Sequence, residues 1–160
     1  MSILIYAEST DGKFKKIAFE LATYAQKIAQ TLNTTVTALT INAADSSELS
    51  KYGVNTILQV KNDQLANFSA RAYADTIKQA AQNQDSKLVI LSSSTDSIAL
   101  APLVAVSLQA GFASNVVSLP ISTSPFQVKR NAFSNKAFNI TEIATETKVI
   151  CLAKNSYGIS

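Results

Sequence analysis

Apolar residues in the first 41 positions of the chain form two short continuous runs with a helical spacing between them. Ser2 to Ala7 is a short apolar run, and Ser9 to Gly12 consists of residues that are typical of turns. Apolar side chains then recur three or four positions apart, which is the spacing of one helix face: Phe14, Ile17, Leu21, Tyr24, Ala25, Ile28 and Leu32. Val36 to Ile41 is again apolar, so the chain is predicted to open as strand, turn, helix and strand.

The alternation of strands and helices continues through the middle of the chain. Ser46 to Tyr52 predicts a short helix ended by Gly53, and Thr56 to Val60 predicts a third strand. A longer helix is predicted from Asp63, as its cap, to Gln84, with one face formed by Ala70, Tyr73, Ile77 and Ala80. Leu88 to Leu91 is a fully apolar fourth strand. Apolar strands that alternate with helices are typical of a parallel sheet covered on both faces.

The next helix is predicted to begin near Ser97, because a proline such as Pro102 keeps all hydrogen bonds only in about the first turn of a helix. Gly111 would end this helix. Its sheet-facing residues would be Ile98, Ala101, Ala105 and Leu108.

Beyond Pro120 the pattern changes to short strands around polar turns at Ser134 to Lys136 and Thr145 to Thr147. The apolar positions are Phe126, Val128, Ala137, Phe138, Ile140, Ile143 and Val149 to Leu152. Residues 1–160 are therefore predicted to form one domain, a three-layer α/β fold. Its sheet is mostly parallel, with helices on both faces and antiparallel strands near the C-terminus.

Composition excludes several classes of function. The chain has no histidine and a single cysteine, so zinc sites, disulfides and the usual catalytic triads are not expected. Cys151 lies in an apolar strand, where a buried, unreactive thiol is the interpretation. The formal net charge of +3 is spread along the chain and does not predict a nucleic-acid interface. Without a signal segment or an apolar stretch of about 20 residues, we expect a cytoplasmic protein with no membrane insertion.

The strongest local motif is the turn from Ser92 to Ser97, between a predicted parallel strand and a helix N-terminus. Such a position favours anions, because free backbone amides and the helix dipole point towards it. The candidate anion-binding residues are Ser94, Thr95, Asp96 and Ser97. The alternative is a capping turn that is rich in hydroxyl groups.

Two carboxylates flank the first turn of the chain. Glu8 and Asp11 follow the first strand, at the edge of the sheet where open α/β sheets often bind ligands. Capping and solvation are the expected roles of both residues. No catalytic constellation is found.

Five segments together resemble the N-terminal domain of the electron transfer flavoprotein alpha subunit. They are LIYAES, DGKFKK, GVNTILQV, LANFSARAYADTI and IALAPLVAVSLQAGFASNV, and the resemblance covers nearly the whole chain. It implies an adenine-nucleotide alpha-hydrolase-like fold. It also implies a heterodimer with a beta subunit, which carries electrons on FAD from dehydrogenases to a quinone oxidoreductase or another acceptor.

The same resemblance implies that FAD is held mainly by a C-terminal domain of the alpha subunit, and this chain stops where that domain would begin. The flavin-contacting motifs of the family have no counterpart here. We therefore expect a flavin-free fragment, or a gene product cut at the domain boundary, with no catalytic residues of its own. Beta subunits of the family hold AMP, so a degenerate form of that site is conceivable at Ser92 to Ser97.

One departure from the family concerns the predicted helix after the serine-rich turn. Leu103 follows Pro102 where family members commonly have arginine, and the usual Gly-Lys pair before it is absent. The departure puts in doubt contacts of this turn with the partner subunit or with the missing domain.

Two alternative functions remain open from the sequence. The first is a nucleotide-binding module of the universal-stress type, although the glycine-containing phosphate loop of that family is missing. The second is an ATP-pyrophosphatase-like enzyme, because the serine-rich turn loosely resembles the SGGxDS loop with both glycines replaced by serine.

Overall fold

A computed structural model describes residues 2–132 and 137–158. The helices are α1 (Lys16–Leu32), α2 (Ala70–Asn83) and α3 (Thr95–Ser107), with two short 3-10 helices at Ser47–Tyr52 and Asp63–Leu65. The strands are β1 (Ser2–Tyr6), β2 (Ser9–Thr10), β3 (Lys13–Phe14), β4 (Thr35–Ile41), β5 (Thr56–Val60), β6 (Leu88–Ser92), β7 (Gly111–Val116), β8 (Ser122–Thr123), β9 (Phe126–Ala132), β10 (Ala137–Ile143) and β11 (Lys148–Leu152).

The strands of the main sheet follow the spatial order β10, β9, β7, β11, β6, β1, β4 and β5, and β8 pairs with β9. The six strands from β7 to β5 are mutually parallel, whereas β9 runs antiparallel to both of its neighbours, β7 and β10. The predicted fold class is confirmed. From β1 the chain moves to β4 on one side, and it later returns to β6 on the other side. The strand order therefore reverses between β1 and β6, and ligands of open α/β sheets bind at such a switch point.

The core lies on both faces of the sheet, because successive side chains of each strand point to opposite faces. In β1, Ile3 and Ile5 pack towards α1, and Leu4 and Tyr6 pack towards α2 and α3. All four side chains are at most 6% exposed. Burial of one large apolar side chain stabilises a fold by about 1.5–3 kcal/mol, so the two helical layers hold the sheet from both sides.

The start of α2 differs from the prediction. Asp63 does not cap a long helix but lies in the 3-10 helix Asp63–Leu65, and α2 begins only at Ala70. Ser69 is the actual cap, since its hydroxyl accepts a hydrogen bond from the backbone N–H of Ala72 at 3.4 Å. The ring of Phe68 packs edge-on against Tyr73, with ring centroids 5.0 Å apart. This contact across the cap fixes the direction from which the chain enters the helix.

The third helix also corrects the prediction. α3 begins at Thr95 rather than near Ser97, and Pro102 lies inside the helix. Ile98 is 52% exposed and Pro102 is exposed as well, so water can reach the carbonyl group that the proline leaves without its helical hydrogen bond. The side chains that face the sheet include Leu100, Ala101, Val104 and Ala105, while Ile98 points outward and Leu108 is half-buried.

Gly111 does not end α3, which stops at Ser107, but begins β7. A Cβ atom at Gly111 would lie 2.5 Å from a methyl group of Ile143 and 2.8 Å from the hydroxyl oxygen of Thr145. Glycine is therefore required by close packing. In contrast, Gly53 ends the 3-10 helix Ser47–Tyr52 in the left-handed conformation, as predicted.

The C-terminal strands are found where the pattern indicated them, but β11 is inserted between β6 and β7 and runs parallel to both. The predicted turn at Ser134 to Lys136 lies outside the described residues. The turn at Thr145 to Thr147 connects β10 to β11, and the Thr145 hydroxyl donates to the Thr147 carbonyl at 2.8 Å. In the described part of the chain, no helix is long and apolar enough to span a membrane.

Candidate functional site

The switch point is formed by the carboxyl ends of β1 and β6. β1 and β6 are adjacent and parallel, so Glu8, two residues after β1, comes close to Ser92 at the end of β6. α3 begins directly after Ser94. The turn from β6 into α3 therefore points its hydroxyl groups and its helix N-terminus at the loop that carries Glu8.

Three serine hydroxyls donate hydrogen bonds to one oxygen of Glu8. The donors are Ser92 at 2.7 Å, Ser94 at 2.6 Å and Ser97, and all three contact Oε1. The other oxygen, Oε2, lies 3.8 Å from the ammonium group of Lys15. Glu8 is only 4% exposed, so this carboxylate is an acceptor buried among donors from another part of the chain.

Two of these serine hydroxyls also accept a hydrogen bond from the backbone. Ser92 Oγ accepts from the N–H of Ser94 at 3.1 Å, and Ser94 Oγ accepts from the N–H of Ser97 at 3.1 Å. A carboxylate oxygen can only accept hydrogen bonds, so each hydroxyl donates its single proton to it. Both protons go to Glu8. The three hydroxyls, the N-terminus of α3 and Lys15 together offset the cost of burying the charge.

A two-residue hairpin brings Lys15 back to Glu8. Asp11 and Gly12 have φ angles of 52° and 80° and join β2 to β3. Two positive φ angles in succession are the conformation that an Asp-Gly turn favours between short antiparallel strands. The backbone N–H of Lys15 then bonds to the carbonyl of Glu8 at 3.4 Å, so the turn predicted at Ser9 to Gly12 positions the nearest cation.

The four predicted anion-binding residues divide into two pairs. Ser94 and Ser97 turn inward and contact Glu8, whereas Thr95 and Asp96 are exposed at the first turn of α3. The anion that this turn contacts in the structure is therefore the chain's own carboxylate. Glu8 was predicted near this edge of the sheet, but only in a capping or solvated role.

One opening lies beside this cluster, and a second lies further along the sheet. A cavity of about 330 Å³ is lined by Ser92, Ser93 and Ser94 together with Lys15, Lys16, Ile17 and Lys154. A more open cleft of about 920 Å³ lies near the ends of β4 and β5, and Asp11, Lys61, Asp63 and Tyr73 are among its lining residues. The smaller cavity has three lysines around it, so its surroundings are positively charged.

A second buried carboxylate, Glu20, was not singled out by the sequence analysis. Glu20 is 2% exposed and accepts hydrogen bonds from three backbone N–H groups, those of Asn155 at 3.2 Å, Tyr157 at 2.9 Å and Gly158 at 2.9 Å. The Tyr157 ring packs edge-on against Tyr24, with centroids 5.4 Å apart. One signal was available, because Glu20 lies three residues after Ile17 and four before Tyr24, on the predicted apolar face of α1.

Cys151 is a buried thiol, as the sequence indicated. Burial, and secondarily the negative charge of Glu8, raises the pKa of Cys151 to about 12. A thiol with this pKa stays protonated at neutral pH and is a poor nucleophile. Among residues 2–132 and 137–158, no group of His, Cys, Asp and Glu side chains could hold a metal ion.

The family model of the electron transfer flavoprotein domain matches residues 3–159. The chain belongs to the electron transfer flavoprotein domain family. It is 25% identical over 142 residues to the electron transfer flavoprotein subunit alpha of Syntrophomonas wolfei, a match that covers 89% of this chain and 44% of that protein. The subunit alpha of Thermoanaerobacterium thermosaccharolyticum is 28% identical over 122 residues, with 74% of this chain and 37% of that protein covered.

A protein named FixB from Clostridium saccharobutylicum is 23% identical over 121 residues, which are 74% of this chain and 36% of that protein. The chain thus spans less than half the length of the curated relatives that it matches. Proteins of the electron transfer flavoprotein family are electron carriers rather than enzymes in the usual sense, and the resemblance to this family is confirmed.

The flavin that the family name implies does not fit the switch point of this electron transfer flavoprotein domain. The donors at the start of α3 already bind Glu8. The diphosphate of a flavin nucleotide would need the same donors, and the negative charge of Glu8 would repel it. We therefore assign no part of a flavin to these residues.

Proposed function

We propose that the chain is the N-terminal, subunit-interface domain of an electron transfer flavoprotein alpha subunit, formed by residues 1–160 as a single domain. In the parent protein it pairs with a beta subunit. The heterodimer carries electrons on FAD from dehydrogenases to a quinone oxidoreductase or another acceptor, in the cytoplasm. The observation that carries the proposal is the family match over residues 3–159, together with alpha-subunit relatives that align with up to 89% of the chain.

The filled switch point supports a role without a bound cofactor in this domain. An internal carboxylate occupies the donors that a nucleotide phosphate would need. The same observation counts against a universal-stress-type nucleotide module and against an ATP-pyrophosphatase-like enzyme. Calorimetry with AMP and with ATP is expected to detect no binding to the purified chain.

Exposed apolar side chains support a role in subunit contacts. Ile98, Leu103 and Val106 lie on the outer face of α3 and are 52%, 43% and 79% exposed. Apolar groups that cluster on a surface often mark a contact with another protein. Leu103, which stands where the family commonly has arginine, makes this face of α3 less polar.

The first test is the visible absorption of the 160-residue chain after incubation with excess FAD and gel filtration. A colourless protein is the expected result, because we assign FAD to a part of the parent alpha subunit outside residues 1–160. A chain that retains flavin absorption would overturn the division of roles.

The second test is pairing with a beta subunit from the same genome in co-expression. We expect the beta subunit to copurify with the chain, and we expect Val106→Arg to weaken pairing while the circular dichroism spectrum stays unchanged. Gln30→Arg is the matched control, because it adds the same side chain to an exposed position of α1. Normal pairing of a longer alpha chain that lacks residues 1–160 would contradict the interface role.

A further inference from the structure

The switch point of the sheet already contains an anion, and that anion is a side chain. The receptor consists of residues 92–97, at the end of β6 and the start of α3, and the anion comes from Glu8 after β1. Ser92 and Glu8 are 84 positions apart in the sequence. Receptor and anion are therefore separate parts of the chain that meet only in the folded protein.

Several hydrogen bonds that hold the receptor in its conformation do not involve Glu8. Ser92 Oγ is held by the backbone N–H of Ser94, and Ser94 Oγ is held by the backbone N–H of Ser97. Ser93 is anchored separately, since its hydroxyl donates to the carbonyl of Leu152 at 2.9 Å. If the Glu8 side chain were removed, these bonds would remain and the inward-pointing donors would lose their acceptor.

The space and charge around the receptor suit an oxyanion with several oxygens. The cavity of about 330 Å³ touches Ser92, Ser93 and Ser94, and its other lining residues are Ile17 and the three lysines Lys15, Lys16 and Lys154. Lys15 already lies 3.8 Å from the carboxylate. Hydroxyl donors, a helix N-terminus and ammonium groups are the combination that binds phosphate groups in proteins.

We propose that Glu8 is a resident anion, which occupies a phosphate-type oxyanion site at the switch point and keeps it closed in the native chain. The carboxylate supplies the negative charge that the site requires, so the fold does not depend on a diffusible ligand there. Removal of the carboxylate is expected to convert the closed position into a binding site for inorganic phosphate. This inference does not rest on the proposed role in electron transfer.

A matched pair of variants tests the proposal. Glu8→Ala removes the anion and the volume of its side chain, whereas Glu8→Gln removes the charge but keeps an oxygen and the occupied space. We expect Glu8→Ala to bind inorganic phosphate at least about tenfold more tightly than the wild-type chain or Glu8→Gln, measured by calorimetry at constant ionic strength. Glu142→Ala is the charge control, because it removes an exposed carboxylate from β10, which is four strands away from β6 in the sheet.

Two further arms locate and identify the site. In the Glu8→Ala chain, a second substitution, Ser97→Ala, should weaken phosphate binding, because it removes one of the three hydroxyl donors. Acetate is tested beside phosphate, since a site shaped only for a carboxylate would bind acetate and not phosphate. Binding of acetate alone would overturn the proposal, and so would a folded Glu8→Ala chain with wild-type phosphate affinity.

A Glu8→Ala chain that does not fold in chloride buffer is tested by phosphate rescue. The chain is refolded in phosphate and in chloride at the same ionic strength, and native structure is followed by near-ultraviolet circular dichroism. Recovery in phosphate but not in chloride supports the resident anion. Failure to recover in phosphate overturns it.

Discussion

Glu8 and Glu20 are both buried carboxylates, 4% and 2% exposed, but different donors stabilise them. Glu8 accepts from three side-chain hydroxyls through a single oxygen, Oε1. Glu20 accepts from three backbone N–H groups and uses both oxygens, Oε1 for Asn155 and Oε2 for Tyr157 and Gly158. One carboxylate joins β1 to α3, and the other joins α1 to the segment after β11.

The type of donor determines how well each site can accept a neutral amide in place of the carboxylate. The neutral amide of glutamine still offers one acceptor oxygen to the serines around Glu8. Its NH₂ group would face Lys15, whose side chain is 48% exposed and can turn towards water. At Glu20 the same amide must place an NH₂ group against at least one backbone N–H, and neither group can accept a hydrogen bond. Two equally buried carboxylates should therefore respond unequally to the same chemical change.

Glu20→Gln is expected to have the largest effect. A buried donor without an acceptor costs about 1–3 kcal/mol, so the free energy of unfolding should fall by about that amount. The amides of Asn155, Tyr157 and Gly158 should also lose protection in native-state hydrogen exchange, because the segment after β11 is released. Glu8→Gln is the comparison and should cost less, because the amide oxygen still accepts hydrogen bonds from the serines. Equal losses for the two variants would show that the donor type does not matter.

Ser94→Ala should follow, with a loss of about 1–2 kcal/mol in urea unfolding. The substitution removes one hydroxyl from Glu8 and also removes the N-cap that accepts from the backbone N–H of Ser97. Ser93→Ala is the control in the same turn, since its hydroxyl donates to Leu152 and caps nothing. A Ser93→Ala chain as unstable as Ser94→Ala would mean that Glu8 and the cap contribute little.

Tyr24→Phe tests how the Glu20 side of the molecule is connected. The Tyr24 hydroxyl donates to the carbonyl of Ser118 at 2.8 Å, and its loss should cost about 0.5–1.5 kcal/mol. The ring also contacts Tyr157, which is bound to Glu20 through its backbone. In double-mutant cycles, Tyr24→Phe should therefore couple to Glu20→Gln and add independently to Glu8→Gln. The same coupling to both variants would contradict the separation of the two regions.

Cys151 provides the smallest and most local test. Its pKa is raised from 9.0 to about 12 in the folded chain, so the unfolded chain loses the thiol proton first as the pH rises. This contribution to stability is complete below pH 9 and is lost between about pH 9 and 12. Because the charge of Glu8 is one cause, Glu8→Gln should lower the pKa of Cys151 and speed its alkylation at alkaline pH. Glu20→Gln should leave the alkylation rate at the native level while the core stays folded.

Local patterns in the sequence were sufficient for much of the fold. The period of three to four predicted α1, and the apolar runs predicted β1, β4, β5 and β6. The starts of α2 and α3 were misplaced, because Asp63 and Ser69 are both good caps and because a solvent-facing Pro102 is tolerated inside a helix. β7 was missed, since Gly111 to Val116 has no regular alternation of buried positions.

The candidate site was less accessible from the sequence than the fold. The serine-rich turn was predicted to attract an anion, but the partner of that turn lies 84 positions earlier along the chain. Periodicity describes neighbours in one element, whereas the meeting of Glu8 and Ser92 depends on β1 and β6 being adjacent in the sheet. Glu20 was overlooked because a glutamate on an apolar helix face has no visible partner until residues 155–158 fold over it.

The position of β11 has a consequence for synthesis of the protein. β6 and β7 cannot be joined until β11 is made, because β11 pairs with both of them. About 60 residues separate β6 from β11, which a ribosome needs roughly 3 to 12 s to translate at about 5–20 residues per second. During that interval the nascent chain carries a strand edge at β6 that nothing yet covers, and such edges attract other chains. β11, the last of the described strands in chain order, therefore ends the exposure of this edge to other chains when it pairs with β6 and β7.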